Sequence, residues 1–216
     1  MSETPLLLLI TLLLIPGCIA SANIPICNPN APPPADVTNT VENFLGELVM
    51  WDQPVFPINV GIDTEMRNER KQIVREAIDI WNTRTGLTVF TYTEGPRNIL
   101  PGKVWVNEDE LPLGQCGGQI YGLARRYYQT DLLGVLLSID RGWIRLHTGV
   151  PEDQVLGTAI HELGHILGLH HDLELSSIMY RFNQVDRGSI TEEDLRYVRD
   201  MMSETRLRGM SFSDLL

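Results

Sequence analysis

Apolar and polar residues alternate through "PVFPINVGID" (54–63), the period of two expected of a strand with one face buried. The rhythm then changes. Across "TEMRNERKQIVREAIDIWNTRTG", Ile73, Val74, Ala77, Ile78 and Trp81 recur at helical spacing and form one apolar stripe. Asp63 or Thr64 is placed to cap the start of this helix, and Gly86 lies just past its end. "LTVFTYTE" and "GKVWVNED" return to strand patterning, and "YGLARRYYQ" and "GVLLSIDRGWIRL" add strand or edge material around a Gly-rich loop at 114–118. A second helix is expected from about Glu152 to Leu167. A third starts near Thr191, with Ser189 and Thr191 as candidate caps and acidic residues in its first turn, and covers "EEDLRYVRDMM". Strands and one helix followed by two further helices predict an α+β fold around one core.

The residues ahead of this pattern have another character. Leu6 to Ile15 is an apolar run of ten residues. A spanning helix needs about twenty, so the run suits the hydrophobic region of a signal peptide. "IPGC" (15–18) resembles a bacterial lipobox, which makes Cys18 a candidate for lipidation. Pro16 and the uncharged-to-acidic start "MSET" depart from that pattern, and an ordinary secretory signal is the alternative. Residues 28–40, "NPNAPPPADVTNT", are Pro-rich and read as an extended spacer. The expected organisation is a signal peptide with lipobox (1–18), a tether (19–43) and one folded domain (44–216). Export alters the meaning of the other two cysteines: in an oxidising compartment Cys27 and Cys116 are expected to form a disulfide, with two free thiols as the alternative.

Length and charge narrow the function. The 216 residues suit one sizeable domain, and 43% hydrophobic with 21% charged residues is ordinary for a soluble protein. A formal net charge of −11 argues against nucleic acid as a partner, since phosphate neutralisation needs clustered Lys and Arg.

The candidate chemistry sits in "HELGHILGLHHD" (161–172), which holds four of the five histidines. On a helix His161 and His165 are one turn apart on the same face, a spacing that suits two ligands of one tetrahedral zinc. Glu162 follows the first ligand, placed to take a proton from a zinc-bound water rather than to bind the metal. Gly168 permits a sharp departure from the helix, because glycine enters left-handed backbone conformations cheaply. After that turn His171 can return as a third ligand. Three protein ligands leave a position open, which is the catalytic arrangement. His170 has no assigned partner and is expected to be solvated; His147 stands alone and is expected to be structural or exposed.

HExxHxxGxxH over 161–171 resembles the metzincin zinc-protease signature. Eight residues past His171, "SSIMY" puts Met179 where that family has the methionine of its Met-turn. Within the metzincins the chain is most similar to the matrixins, through "VREAIDIWNTRTGLTVF" and "ITEEDLRYVRDMM", with a likeness covering roughly residues 50–203. The resemblance implies a metzincin-like catalytic domain: a twisted mixed sheet, an active-site helix and a C-terminal helix. It implies one catalytic Zn2+ held by His161, His165 and His171, Glu162 as general base, and structural roles at the site for Gly168 and Met179. It further implies that Tyr180 helps shape the substrate pocket and that "GVLLSID" is the edge strand pairing with an extended substrate.

The chain departs from the family at several positions. Asp172 follows the third histidine where matrixins have Ser, and Ile166 stands where the adamalysin branch has Asn. Arg181 replaces the Pro expected after the methionine. A second, structural zinc needs more histidines than the one left over, His147, and Arg125 and Arg126 occupy the region where such a ligand is expected. No PRCGxPD latency stretch occurs in the 216 residues, and Cys27 in "PICNPN" is the one thiol that could ligate the zinc in its place. The acidic run "NEDE" (107–110) makes Ca2+ a further candidate ion. The expectation is thus a monomeric zinc endopeptidase, secreted or lipid-anchored to a bacterial membrane, acting on protein or peptide substrates. The rival is a zinc-bearing lipoprotein that binds or assembles without turnover, and Glu162, which pure binding does not need, favours the enzyme.

Overall fold

A computed structural model describes residue 51 and residues 56–96, 104–111, 120–130, 136–172, 174–180 and 189–209. Cys18, Cys27, Cys116, the tether, the Gly-rich loop 114–118 and Arg181 lie outside the described residues. Five strands, β1 (Ile58–Asp63), β2 (Phe90–Gly95), β3 (Val104–Asp109), β4 (Gly122–Thr130) and β5 (Leu136–His147), form one sheet in the order β2-β1-β3-β5-β4. The pairs β1–β2, β1–β3 and β3–β5 are parallel, and β4–β5 is antiparallel. Among the described residues there are three helices: α1 (Asn68–Thr85), α2 (Glu152–Leu167) and α3 (Glu192–Gly209). The α+β expectation holds, with a mixed sheet.

The first helix begins later than its sequence suggests. Asp63 does not cap it: Asp63 Oδ1 accepts the N–H of Glu65 at 3.0 Å, and the N–H of Met66 bonds Asp63 O at 3.2 Å. That local turn consumes the acceptor before a helix can form. The helix starts only after Arg67, whose own N–H donates to Glu108 Oε2 on β3 at 3.0 Å. Its end is as expected: Gly86 closes it at φ +70° and donates to Asn82 O and Thr83 O. Val74, Ala77, Ile78 and Trp81 are buried, whereas Ile73 is half-buried. Asn82 ties the helix to the next strand, accepting from Val89 N and Phe90 N and donating to Phe90 O at 2.9 Å.

The core lies between the sheet and the helices. Ile58, Val60 and Ile62 of β1, Val104 and Val106 of β3, and Ile139, Ile144 and Leu146 of β5 meet Ile78 and Trp81 of α1 and Leu163 and Ile166 of α2. Burying each of these large side chains contributes on the order of 1.5–3 kcal/mol, which fixes α2 against the sheet. One expectation is corrected: β5, which holds the described part of "GVLLSID" (136–140), is not the outer strand. β5 pairs with β4 over its length and with β3 at residues 142–147, and Ile139 also bridges Trp51. The outer strand is β4. Both segments alternate, and alternation alone does not tell an outer strand from an inner one.

α3 starts with a capping box. Thr191 Oγ1 accepts the N–H of Asp194 at 3.1 Å, and Asp194 Oδ2 accepts the N–H of Thr191 at 2.8 Å. Ser189 is not the cap; it bridges Ser177 instead.

Candidate metal centre

The site is built on α2 and the turn that ends it. Glu152 and Asp153 oppose the positive end of the helix dipole at its start. At its end Gly168 takes φ +113°, the N–H of Leu169 reaches back to Gly164 O at 3.0 Å, and the N–H of Gly168 bonds His165 O at 3.1 Å. This Schellman-type closure reverses the chain within a few residues. Asp172 N–H then bonds Met179 O at 2.9 Å, so the returning segment is pinned to the 174–180 turn. The outcome is that His161, His165 and His171 converge, with one ligand nitrogen from each lying within 4.8 Å of the others.

The orientation of two rings follows from their partners. His161 Nδ1 is 2.7 Å from Ile178 O, and His165 Nδ1 is 2.8 Å from Leu169 O. A carbonyl only accepts, so in each ring Nδ1 carries the proton and Nε2 keeps its lone pair. Such a second contact is what orients a metal-binding imidazole. Burial pushes the His165 pKa well below its ordinary value, and the neighbouring His161 and His171 rings push it the same way. A neutral ring is the ligand form.

His165 Nε2 stands 3.2 Å from His171 Nε2. With no proton of its own to give, it faces either a proton on His171 or a cation held by both rings. Two nitrogens bound to one tetrahedral zinc at its usual distance stand about 3.3–3.4 Å apart, so this spacing suits the ion. An all-nitrogen donor set also suits zinc and its transition-metal neighbours rather than calcium or magnesium, which take oxygen.

Glu162 is 5% exposed and reaches toward the start of β4. A Cβ added to Gly122 would lie 2.4 Å from Glu162 Oε1 and 2.7 Å from Thr158 Cγ2, so the glycine leaves the space in which this carboxylate sits. Beneath the histidines, a Cβ at Gly164 would lie 2.4 Å from Met179 Sδ and 3.2 Å from Trp81 Cζ2. Met179 is 1% exposed, and the N–H of Trp81 donates to Ile160 O at 3.0 Å. Tyr180 is half-buried at the end of the same turn, bridged to Asp172 next to the third histidine.

The structure therefore gathers Glu162, the three histidines, Gly168, Met179 and Tyr180 into one region. Gly122, Thr158 and Gly164 are additions that sequence patterns did not single out, and Trp81, expected only in the apolar stripe of α1, also borders the site. A glycine at the head of an alternating strand is a signal for close approach, and it would have pointed to Gly122.

The remaining histidines divide. His170 is not solvated as expected. It is half-buried, and burial, followed by the charge of Arg126, lowers its pKa from 6.5 to about 4. His147 is structural: it is 9% exposed and its Nδ1 accepts the N–H of Gly149 at 2.8 Å.

A family model described as matrixin matches residues 56–202. Stromelysin-3 of Rattus norvegicus is 28% identical over 151 residues, covering 68% of this chain and 29% of that protein. Matrix metalloproteinase-15 of Homo sapiens is 32% identical over 98 residues, covering 43% of this chain and 14% of that protein. The chain thus spans less than a third of the length of either relative. Among solved structures, archaemetzincin (amzA) from Methanopyrus kandleri aligns with a TM-score of 0.48 at 13% identity, covering 70% of this chain and 99% of that one.

Proposed function

The chain belongs to the matrixin family, and on that premise we propose that it is a zinc endopeptidase acting on protein or peptide substrates. The observation that carries this is the convergence of His161, His165 and His171 beside a buried Glu162. The three histidines would hold the zinc, which supplies Lewis acidity toward a peptide carbonyl and makes a nearby water easier to deprotonate. Glu162 accepts that proton and returns it to the leaving amine. β4, which ends the sheet beside β5, would pair with an extended substrate, and Tyr180 borders the pocket beyond the histidines.

Calcium gains no support from the acidic run. Glu108 is engaged by Arg67 at 2.7 Å and lies 3.6 Å from Arg70; Asp109 is 3.4 Å from Arg145, and Glu110 is 3.4 Å from His147. We further infer that the chain is exported and lipid-anchored at Cys18, on the grounds of the Leu6–Ile15 run and "IPGC". Membrane association that survives Cys18→Ala would sink the anchor.

Metal content and cleavage of an unfolded protein by the purified chain test the proposal together. About one zinc per chain, cleavage lost on chelation and restored by zinc, and metal loss in His161→Ala are expected. Bound zinc with no cleavage of any unfolded substrate would favour the zinc-bearing binding module instead.

A further inference from the structure

Ahead of residue 56 the structure describes Trp51, and this residue reaches the helix that carries the metal site. Trp51 is 2% exposed, and its indole N–H donates to Ile166 O at 2.7 Å. It also forms a parallel bridge with Ile139 of β5. Ile166 lies in the last turn of α2, one residue past His165.

The position of that carbonyl gives the contact its meaning. The last four carbonyls of a helix have no partner within it. In α2 these belong to Gly164, His165, Ile166 and Leu167. Gly164 O takes the N–H of Leu169 and His165 O takes the N–H of Gly168. Ile166 O takes Trp51. This same turn carries the chain around Gly168 to His171, and it presents Leu169 O to His165 Nδ1. Trp51 therefore grips the turn from which two of the three converging histidines take their orientation. Among wholly buried groups such a contact is expensive to lose, since Ile166 O would be left unsatisfied.

We propose that Trp51 is a positioning residue for the metal centre, so that the functional unit includes residue 51. The family match begins at residue 56, five residues later, and a chain cut to that match would lose the contact. The proposal rests on the zinc-peptidase reading and extends it to a residue outside the matched segment.

The test uses the full chain loaded with zinc, with release to a chromogenic chelator as the readout. Trp51→Phe keeps most of the packing and removes the N–H. Outer contacts of metal ligands are worth about 10–100-fold in metal affinity, so zinc release from Trp51→Phe should be at least about tenfold faster. Phe90→Leu, a core change on β2 remote from α2, serves as the control for lost stability and should release zinc at the parent rate. Equal release from Trp51→Phe and the parent would overturn the proposal, as would equal acceleration in both variants.

A second measurement needs no variant. Coupling between two sites is reciprocal, so zinc should slow hydrogen exchange of the Trp51 indole N–H by about tenfold. Exchange unchanged by zinc would also overturn the proposal. A chain that binds no zinc at all would instead bring down the peptidase reading beneath it.

Discussion

At Gly122 the space that any other residue would fill already holds the Glu162 carboxylate, 2.4 Å from where a Cβ would stand. The atoms nearest that position all belong to side chains, Oε1 and Cγ of Glu162 and Cγ2 of Thr158, so an added methyl group displaces the carboxylate rather than the backbone. Gly122→Ala is therefore expected to move Glu162 and lower kcat/KM at least about tenfold while the zinc content stays that of the parent, because proton transfer depends on placement and the histidines are untouched. Parent-like activity in Gly122→Ala would show that β4 does not set the position of Glu162. The histidine ligands were legible in the sequence because i, i+4 spacing and a glycine turn are local facts. At Gly122 the sequence carries a hint of close approach but not the partner, since Glu162 lies 40 positions away. The burial of His170 is hidden for the same reason: Arg126, whose charge acts on it, lies 44 positions away, and nothing in "GLHHD" announces it.

Among the elements, α3 has the most exposed logic. Its capping residue Asp194 is 2% exposed, and Asp194 Oδ2 accepts from Thr191 N, Thr191 Oγ1 and Ser177 Oγ. Ser177 Oγ in turn accepts the N–H of Met179, so the cap supports the methionine turn under the histidines. Burial raises the Asp194 pKa above its ordinary value and outweighs those hydrogen bonds, which act the other way. The folded chain thus holds this proton to a higher pH than the unfolded chain. Stability from this group is full below the unfolded value of about 3.9 and falls as pH rises through the raised folded value. Asn does not titrate. The stability of Asp194→Asn relative to the parent should therefore improve as pH rises from about 4 and then level off, as measured by urea unfolding. A difference that is constant from pH 4 to 7 would contradict this. The bounds of α2 and the end of α1 were readable from apolar periodicity and Gly86. The start of α1 was not, because Asp63 satisfied a turn of its own rather than the helix.

For the whole molecule, the number and kind of elements followed from the sequence, but the order β2-β1-β3-β5-β4 did not. Strand order depends on which faces pack after collapse, and β4 and β5 carry the same alternation. That ambiguity hid which of the two is outer: it is β4, and the proposed pairing with an extended substrate belongs there. The ligand set needed no topology, because α2 and its closing turn carry it entire. What topology adds is the wall around Glu162 and the grip of Trp51 on the turn. In the proposed reaction Glu162 is the group that moves the proton. The decisive measurement is cleavage of an unfolded protein by the parent and by Glu162→Gln at matched zinc content, with products read by mass spectrometry. Internal cleavage by the parent and a loss of about 10²–10⁴-fold in the variant, with about one zinc in each, is the predicted result. Equal cleavage by both, or zinc in both with cleavage by neither, would contradict it.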